Sequence, residues 1–326
     1  MTYRQPAEWA LHDWVWIGFP SNPAEWPDAF EEARVQVAAF ANAVHSEGRG
    51  EEVRLIAADE ASAEAARTLV NEAVQVHALP FGDVWLRDTG PIAVKRDGER
   101  ALVDFDFNGW GGSYDMPGDR DIGALLAAQT DLPCAKGHWI FEGGAVDTDG
   151  TGLAVTTEQC LLNPNRNPQL DRRKIETLLA GSLGYSDILW LGQGLVNDHT
   201  DGHVDNLARF VGEGLLAIPE PAGEDDPNAA IYADARARAR AFGLEVVPMP
   251  SPGLYRQSGK IVPASYMNFY IGNAAVIVPL YGQPNDQAAL NALRPFFPGR
   301  EIVGVMSDAI LTGGGSFHCI SQQMPS

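Results

Sequence analysis

Short apolar runs alternate with amphipathic helical stretches along the whole chain, and that alternation restricts it to the α/β class. Residues 14–20 (WVWIGFP), 53–58 (VRLIAA), 187–191 (DILWL), 215–219 (LLAIP), 244–248 (LEVVP), 274–280 (AAVIVPL) and 301–306 (EIVGVM) read as strands. Residues 74–79, 91–96 and 101–107 alternate apolar and polar side chains in the same way. Between these runs, Phe30, Ala33, Val37, Phe40 and Val44 keep one helical stripe, and Asp59 is placed to cap a helix with Ala66, Leu69, Val70 and Ala73 inward. Further helices are expected to begin near Asp119, Gln169, Asn228 and Pro284. The starts at 59, 119, 169, 228 and 284 lie 60, 50, 59 and 56 residues apart, with the helix near residue 28 outside the series. That spacing fits a repeated β/α unit and equally a plain doubly wound sheet. The loop-like stretch 219–227 (PEPAGEDDP) is short enough to be a surface loop, so residues 1–326 are expected to form a single domain.

Lys and Arg number 23 against 43 Asp and Glu, a formal net charge of −20. Such a chain repels phosphate backbones and anionic lipid, which sets nucleic-acid and membrane partners aside, and its field draws in small cations. The first twenty residues carry charges throughout without an apolar core, unlike a signal peptide, and no window approaches the ~18 apolar residues of a membrane span. Three unpaired cysteines, Cys134, Cys160 and Cys319, imply neither a disulfide framework nor a zinc knuckle, and a reducing cytoplasm is the expected compartment.

Four segments place carboxylates or imidazoles beside glycine at expected strand ends: 85–91 (WLRDTGP), 141–144 (FEGG), 198–205 (DHTDGHVD) and 313–319 (GGGSFHC). Cys319 follows a triple glycine that lets a substrate approach closely; the alternative is a small buried hydrophobe, the expected role of Cys134 and Cys160. If 201–205 is extended, Asp201, His203 and Asp205 share a face, and an imidazole between two carboxylates becomes a protonated acid. If it is helical, His199 and His203 pair like metal ligands; Thr200, Gly202 and Val204 argue against that, and no His-Glu-x-x-His pattern is present. Asp88 beside Arg87 could be a local ion pair, yet apolar and stiff residues surround it, and Glu142 has the same setting. Carboxylates aimed at one thiol make it a poor nucleophile, and a cationic substrate resolves the conflict by neutralising them on binding. The residues point to a cysteine enzyme for a cation.

The same residues carry a resemblance. Residues 6–9 to Pro20, 83–91 (DVWLRDTGP), 107–112 (FNGWGG), 142–144 (EGG), 161–168 (LLNPNRNP), 200–206 (TDGHVDN), 263–270 (PASYMNFY) and 313–323 (GGGSFHCISQQ) are similar to the agmatine deiminases, within the wider peptidylarginine-deiminase and guanidine-modifying superfamily. The resemblance implies a five-bladed α/β propeller (pentein) of pseudo-fivefold symmetry, no metal and no organic cofactor. It puts the nucleophile on Cys319, the catalytic histidine on His203, guanidinium-holding acids on Asp88 and Asp205, and a further site acid on Glu142. Trp85 and Trp110 are candidates for an aromatic wall along the alkyl chain, with ordinary core aromatics as the alternative. Asp198 and His199 are further candidate substrate-binding positions, His199 either at the substrate's distal end or a surface residue.

The implied reaction takes agmatine to N-carbamoylputrescine and ammonia, in polyamine metabolism on the way to putrescine. The implied partner is thus a small cationic guanidine, and a homo-oligomer is left open. His199 stands where many relatives carry an acid, which changes the charge offered to an amine, and Ser316-Phe317 replaces the Asn-Ile common in the family. The competing readings are a deiminase of free or peptidyl arginine, a non-catalytic guanidinium or polyamine binder, and a metallohydrolase using His199, His203 and the aspartates.

Overall fold

The computed structural model describes residues 3–326. The described residues form four three-stranded sheets, one four-stranded sheet and a two-stranded hairpin, not one continuous doubly wound sheet. Four sheets repeat one plan, an edge strand antiparallel to the middle strand, which then crosses over through a helix to a parallel third. They are Ile92–Arg96 with Glu99–Asp106 and Cys134–Ile140; Val146–Thr148 with Leu153–Thr157 and Asp187–Leu191; Arg209–Gly212 with Leu215–Glu220 and Glu245–Pro250; and Tyr270–Ile271 with Ala275–Leu280 and Glu301–Met306. The fifth sheet joins the two ends of the chain. Ser321–Pro325 runs antiparallel to His12–Gly18, which is parallel to Glu52–Ala57, and Gln75–Ala78 adds a fourth strand.

The crossover helices follow local signals. Asp171 accepts the Lys174 N–H at 2.9 Å to start Arg172–Leu183, whose Ile175, Leu179 and Leu183 form one buried stripe, and Gly184 ends it at φ +76°. The parallel strands at the centres, such as Ala275–Leu280, are buried on both faces because helices cover them. The helices expected from the spacing are present, and so is the one near residue 28, but the repeat is assembled differently. The crossover of the end-joining sheet is Phe30–His45, the helix left outside the series, while Glu60–Leu69 leads only to the added fourth strand. No helix among the described residues is long and apolar enough to cross a membrane.

A single turn lies just ahead of each edge strand. Leu86–Thr89, Gly143–Ala145 and Val204–Asn206 precede 92–96, 146–148 and 209–212, and turns at 266–267 and 317–320 precede 270–271 and 321–325. Asp88, Glu142, His203 with Asp205, Asn268 and Cys319 therefore come from five equivalent linkers. Five places in the chain far apart in sequence meet because the sheet plan repeats.

Candidate active site

The Cys319 sulfur is 5% exposed as a residue and stands 3.5 Å from Asp205 Oδ2. Asn268 Nδ2 donates to it at 3.1 Å. Burial, then the charges of Asp205 and Asp88, push the thiol well above its ordinary range, as the electrostatic argument requires. Asp205 is fully buried; His318 Nδ1 lies 2.8 Å from its Oδ2, while Oδ1 finds no partner within the described residues. Burial raises the Asp205 carboxyl, but His318, His203 and Arg209 outweigh it and hold the group below the usual range.

Asp88 is not paired with Arg87. Its Oδ1 accepts the Gly144 N–H at 2.9 Å and its Oδ2 the Trp110 indole N–H at 2.9 Å. Arg87 turns the other way, donating to His318 O at 3.2 Å and Gln322 Oε1 at 3.0 Å. Burial raises the Asp88 carboxyl despite the opposing charge of His203.

The His203 imidazole lies between carboxylates, though not those of its own segment. Asp201 and Gly202 take left-handed φ values of +62° and +86° and Val204–Asn206 is a 3-10 turn, so the segment is not extended. Asp201 is drawn away to Arg166 and Asn165. Glu142 Oε2 lies 3.4 Å from His203 Nε2, and Asp88 Oδ1 lies 3.7 Å from Nδ1, which has no hydrogen-bond partner among the described residues. Burial would push the imidazole down, but Asp88, with hydrogen bonding to Cys160 and Glu142, carries it well above its usual range. The protonated acid expected from 201–205 is thus obtained through Asp88 and Glu142. Glu142 is itself fully buried and held by Arg166 Nε at 3.0 Å; burial raises it, but His203 and Arg166 leave it below the usual range.

The convergence depends on Gly144. A Cβ there would sit 2.6 Å from His203 Nδ1, 2.9 Å from Asp88 Oδ1 and 3.1 Å from Asp205 Oδ2, so only glycine admits all three.

Cys319 and Asp88 lie in a cleft also lined by Trp85, Trp110, Tyr114, His199, Glu25 and Asp83. The 313–315 backbone forms one wall, and a Cβ on Gly315 would meet Trp85 at 2.7 Å and the Cys319 sulfur at 3.1 Å. Trp85 donates its indole N–H to Asp83 at 2.8 Å. Trp110 is held at φ +50°, a conformation bulky residues seldom adopt, with Asn108 Oδ1 accepting the next N–H. Burial carries the Asp83 carboxyl to about 7 and also raises Glu25. His199 is exposed, with its Nδ1 3.3 Å from the Tyr114 hydroxyl.

The structure brings Cys319, His203, Asp88, Asp205 and Glu142 together, and puts Trp85, Trp110 and His199 on the cleft. Asp198 does not line it: its Oδ1 accepts from Thr200 N and Oγ1, and its Oδ2 from Asn206 Nδ2. The pairing of His199 with His203 does not form, since only His203 is buried. Donor atoms of Glu142, Cys160 and His203 lie within 4.8 Å of one another, but the Arg166 guanidinium already engages both Glu142 oxygens and makes this an ion-pair cluster.

Sequence reasoning missed Arg166, Asn268, Glu8 and Arg209. Glu8 Oε2 lies 2.8 Å from His318 Nε2 and 2.7 Å from Arg209 Nη2, which braces the ring that braces Asp205. Glu8, Arg166 and Asn268 lie in the segments that carry the resemblance, but nothing in their spacing says which side chain they meet.

Comparison with known proteins agrees with this geometry. The Porphyromonas-type peptidyl-arginine deiminase family matches residues 4–325. A Stutzerimonas stutzeri agmatine deiminase is 38% identical, over 99% of this chain and 96% of its own. An Enterococcus faecalis agmatine deiminase structure superposes with a TM-score of 0.92 at 30% identity, covering 99% of this chain and 96% of that one. A C. jejuni agmatine deiminase with substrate bound gives 0.93 at 28% identity, covering 100% and 97%. A match that runs through every element contributing to the cleft leaves one assignment: the chain belongs to the Porphyromonas-type peptidyl-arginine deiminase family.

Proposed function

We propose that this protein hydrolyses agmatine to N-carbamoylputrescine and ammonia through a covalent adduct on Cys319, with residues 1–326 acting as one catalytic domain whose five sheets are the blades of a pseudo-fivefold propeller. The repeated sheet plan and the meeting of five equivalent linkers support the architecture. The observation that carries the chemistry is a buried thiol beside Asp205, whose second oxygen finds no partner among the described residues.

Asp88 and Asp205 grip the guanidinium through its forked N–H groups and turn its carbon toward sulfur. The bound cation offsets the two negative charges that hold the thiol protonated, and the thiol proton passes to solvent. The thiolate forms the C–S bond, and His203 gives a proton to a terminal nitrogen, which departs as ammonia. The remaining S-alkylthiouronium keeps the butylamine arm. Water adds to its carbon with His203 now as base, the C–S bond breaks, and the ureido product leaves. Glu142 and Arg166 touch no substrate atom in this scheme; they orient and charge His203.

Trp85 and Trp110 line the apolar arm. His199 alone would disfavour an ammonium and favour another guanidine, such as free or peptidyl arginine. Glu25 lines the same cleft, however, and supplies negative charge that His199 lacks, and Asp83, lifted to about 7 by burial, is drawn into its charged form beside a bound ammonium, so agmatine is the favoured substrate. A panel of agmatine, arginine, arginine peptides and small guanidines, assayed for ammonia and ureido product, tests this. The highest kcat/KM should belong to agmatine, and a higher value for any arginine compound would overturn the choice.

A further inference from the structure

Asn268 is fully buried, and it lies in a segment (263–270) to which the reaction above gives no role. All four of its amide hydrogen-bonding positions are used. Its Oδ1 accepts the backbone N–H groups of His318 at 3.0 Å and Cys319 at 3.2 Å. Its Nδ2 donates to Asn206 Oδ1 at 3.0 Å and to the Cys319 sulfur at 3.1 Å.

This occupancy fixes which way the amide faces. Turning it over would set the NH2 group against two backbone N–H donors, of which His318 N–H shares the Asn268 carbonyl at 3.2 Å while Cys319 N–H has only this side-chain oxygen among the described residues, so the nitrogen must face sulfur. Asn206 is oriented in turn, because its own NH2 group donates to Asp198 Oδ2 at 3.2 Å, leaving its oxygen for Asn268. A run of oriented groups thus connects Asp198, Asn206 and Asn268 to the sulfur.

We propose that Asn268 is a catalytic hydrogen-bond donor to the Cys319 sulfur, favouring the thiolate against the neighbouring carboxylates, and that the same amide clamps the turn carrying the nucleophile. An N–H pointed at sulfur is satisfied better by a thiolate than by a thiol, since charge strengthens the acceptor. Asp205 and Asp88 act on the sulfur as negative charges that raise the thiol, and the Ser316 backbone opposes them beside Asn268. Among neutral side chains at this position, an amide supplies both the donor and the doubly accepting oxygen that the geometry needs. Asp198 and Asn206 are positioning residues in this account and act only through Asn268.

The proposal rests on Cys319 being the nucleophile, so its test reads the thiol directly as well as turnover. In Asn268→Asp the accepting oxygen is kept and the donor is lost. The pH at which iodoacetamide alkylation of the Cys319 peptide is half-maximal should rise by about one unit or more. The kcat should fall roughly 10- to 100-fold with KM within a few-fold of the parent, and Asn268→Ala should shift the midpoint less because it adds no charge. In the parent labelled with 15N-asparagine, one side-chain amide should titrate with the alkylation midpoint and stop doing so in Cys319→Ser. An unchanged midpoint in a folded variant, or no asparagine amide following the thiol, overturns the donor role even if turnover is lost. Turnover surviving in Cys319→Ser would instead overturn the mechanism while leaving the amide titration interpretable.

Discussion

Asp205 Oδ2 stands 3.5 Å from the Cys319 sulfur, so the free enzyme holds a carboxylate against the group it must ionise. The pair is unproductive until a cation comes between or beside them. Asp205→Asn should therefore separate reactivity from catalysis. Alkylation of Cys319 should reach half-maximum at lower pH than in the parent, because a charge that raised the thiol is gone. At the same time kcat/KM for agmatine should fall by on the order of 2–4 kcal/mol, because the guanidinium loses a charged anchor. Parallel alkylation and steady-state measurements check both signs; a midpoint that rises contradicts the electrostatic account.

Glu142 should act through His203. The imidazolium that protonates the leaving nitrogen is lost as pH rises through its elevated folded value, so His203 sets the alkaline limb of the kcat profile. Glu142→Gln removes one influence that raises it, and the limb should move to lower pH. Arg166 then keeps Asp201 but loses its fully buried carboxylate partner, and the variant should also lose stability, by about 1–3 kcal/mol. A pH profile and urea unfolding, each on parent and variant, read the two effects separately.

Gly144 and Gly181 make a matched pair. Gly144→Ala places a methyl 2.6 Å from His203 Nδ1 and should lower kcat/KM at least 100-fold. Gly181 is in the helix Arg172–Leu183 with nothing within 4 Å of its Cβ position, so Gly181→Ala should leave activity alone and add about 0.5–1 kcal/mol of stability. Kinetics and denaturant midpoints for both variants check the contrast.

Much of this was legible in the sequence. The long parallel strands and their helices announce themselves by period, because each hides one stripe or two faces. The edge strands 146–148, 209–212, 270–271 and 321–325 do not. They are short, and Val146-Asp147-Thr148 or Arg209-Phe210-Val211-Gly212 show no alternation, since Asp147 and Arg209 are buried in a mutual ion pair at 3.1 Å. The site residues could be named from chemistry and resemblance, but their pairing could not. Asp201 looked like the partner of His203 by spacing, and Arg166, 35 residues away in sequence, takes it instead. Partners across linkers are set by how the sheets meet, which no local pattern records.

Asp119 offers a test of burial away from the chemistry. One of its oxygens, Oδ1, accepts the N–H groups of both Gly82 and Asp83, at 2.8 and 2.9 Å, a role an asparagine oxygen can keep. Burial lifts its carboxyl to about 6. A carboxyl raised on folding favours the folded state below its unfolded value near 4 and loses that contribution as pH climbs through about 6. Asp119→Asn should match the parent in stability at pH 4 and exceed it by up to about 2 kcal/mol at pH 8, a difference that urea unfolding at the two values will show.

The central claim is covalent catalysis at Cys319, and intact-protein and peptide mass spectrometry of the parent enzyme, quenched in acid during turnover of saturating agmatine, tests it most directly. The quench should trap the thiouronium before water reaches it, adding the mass of agmatine less ammonia to the peptide that contains Cys319. An adduct on Cys134 or Cys160 instead, or undiminished turnover by Cys319→Ser, would contradict the account.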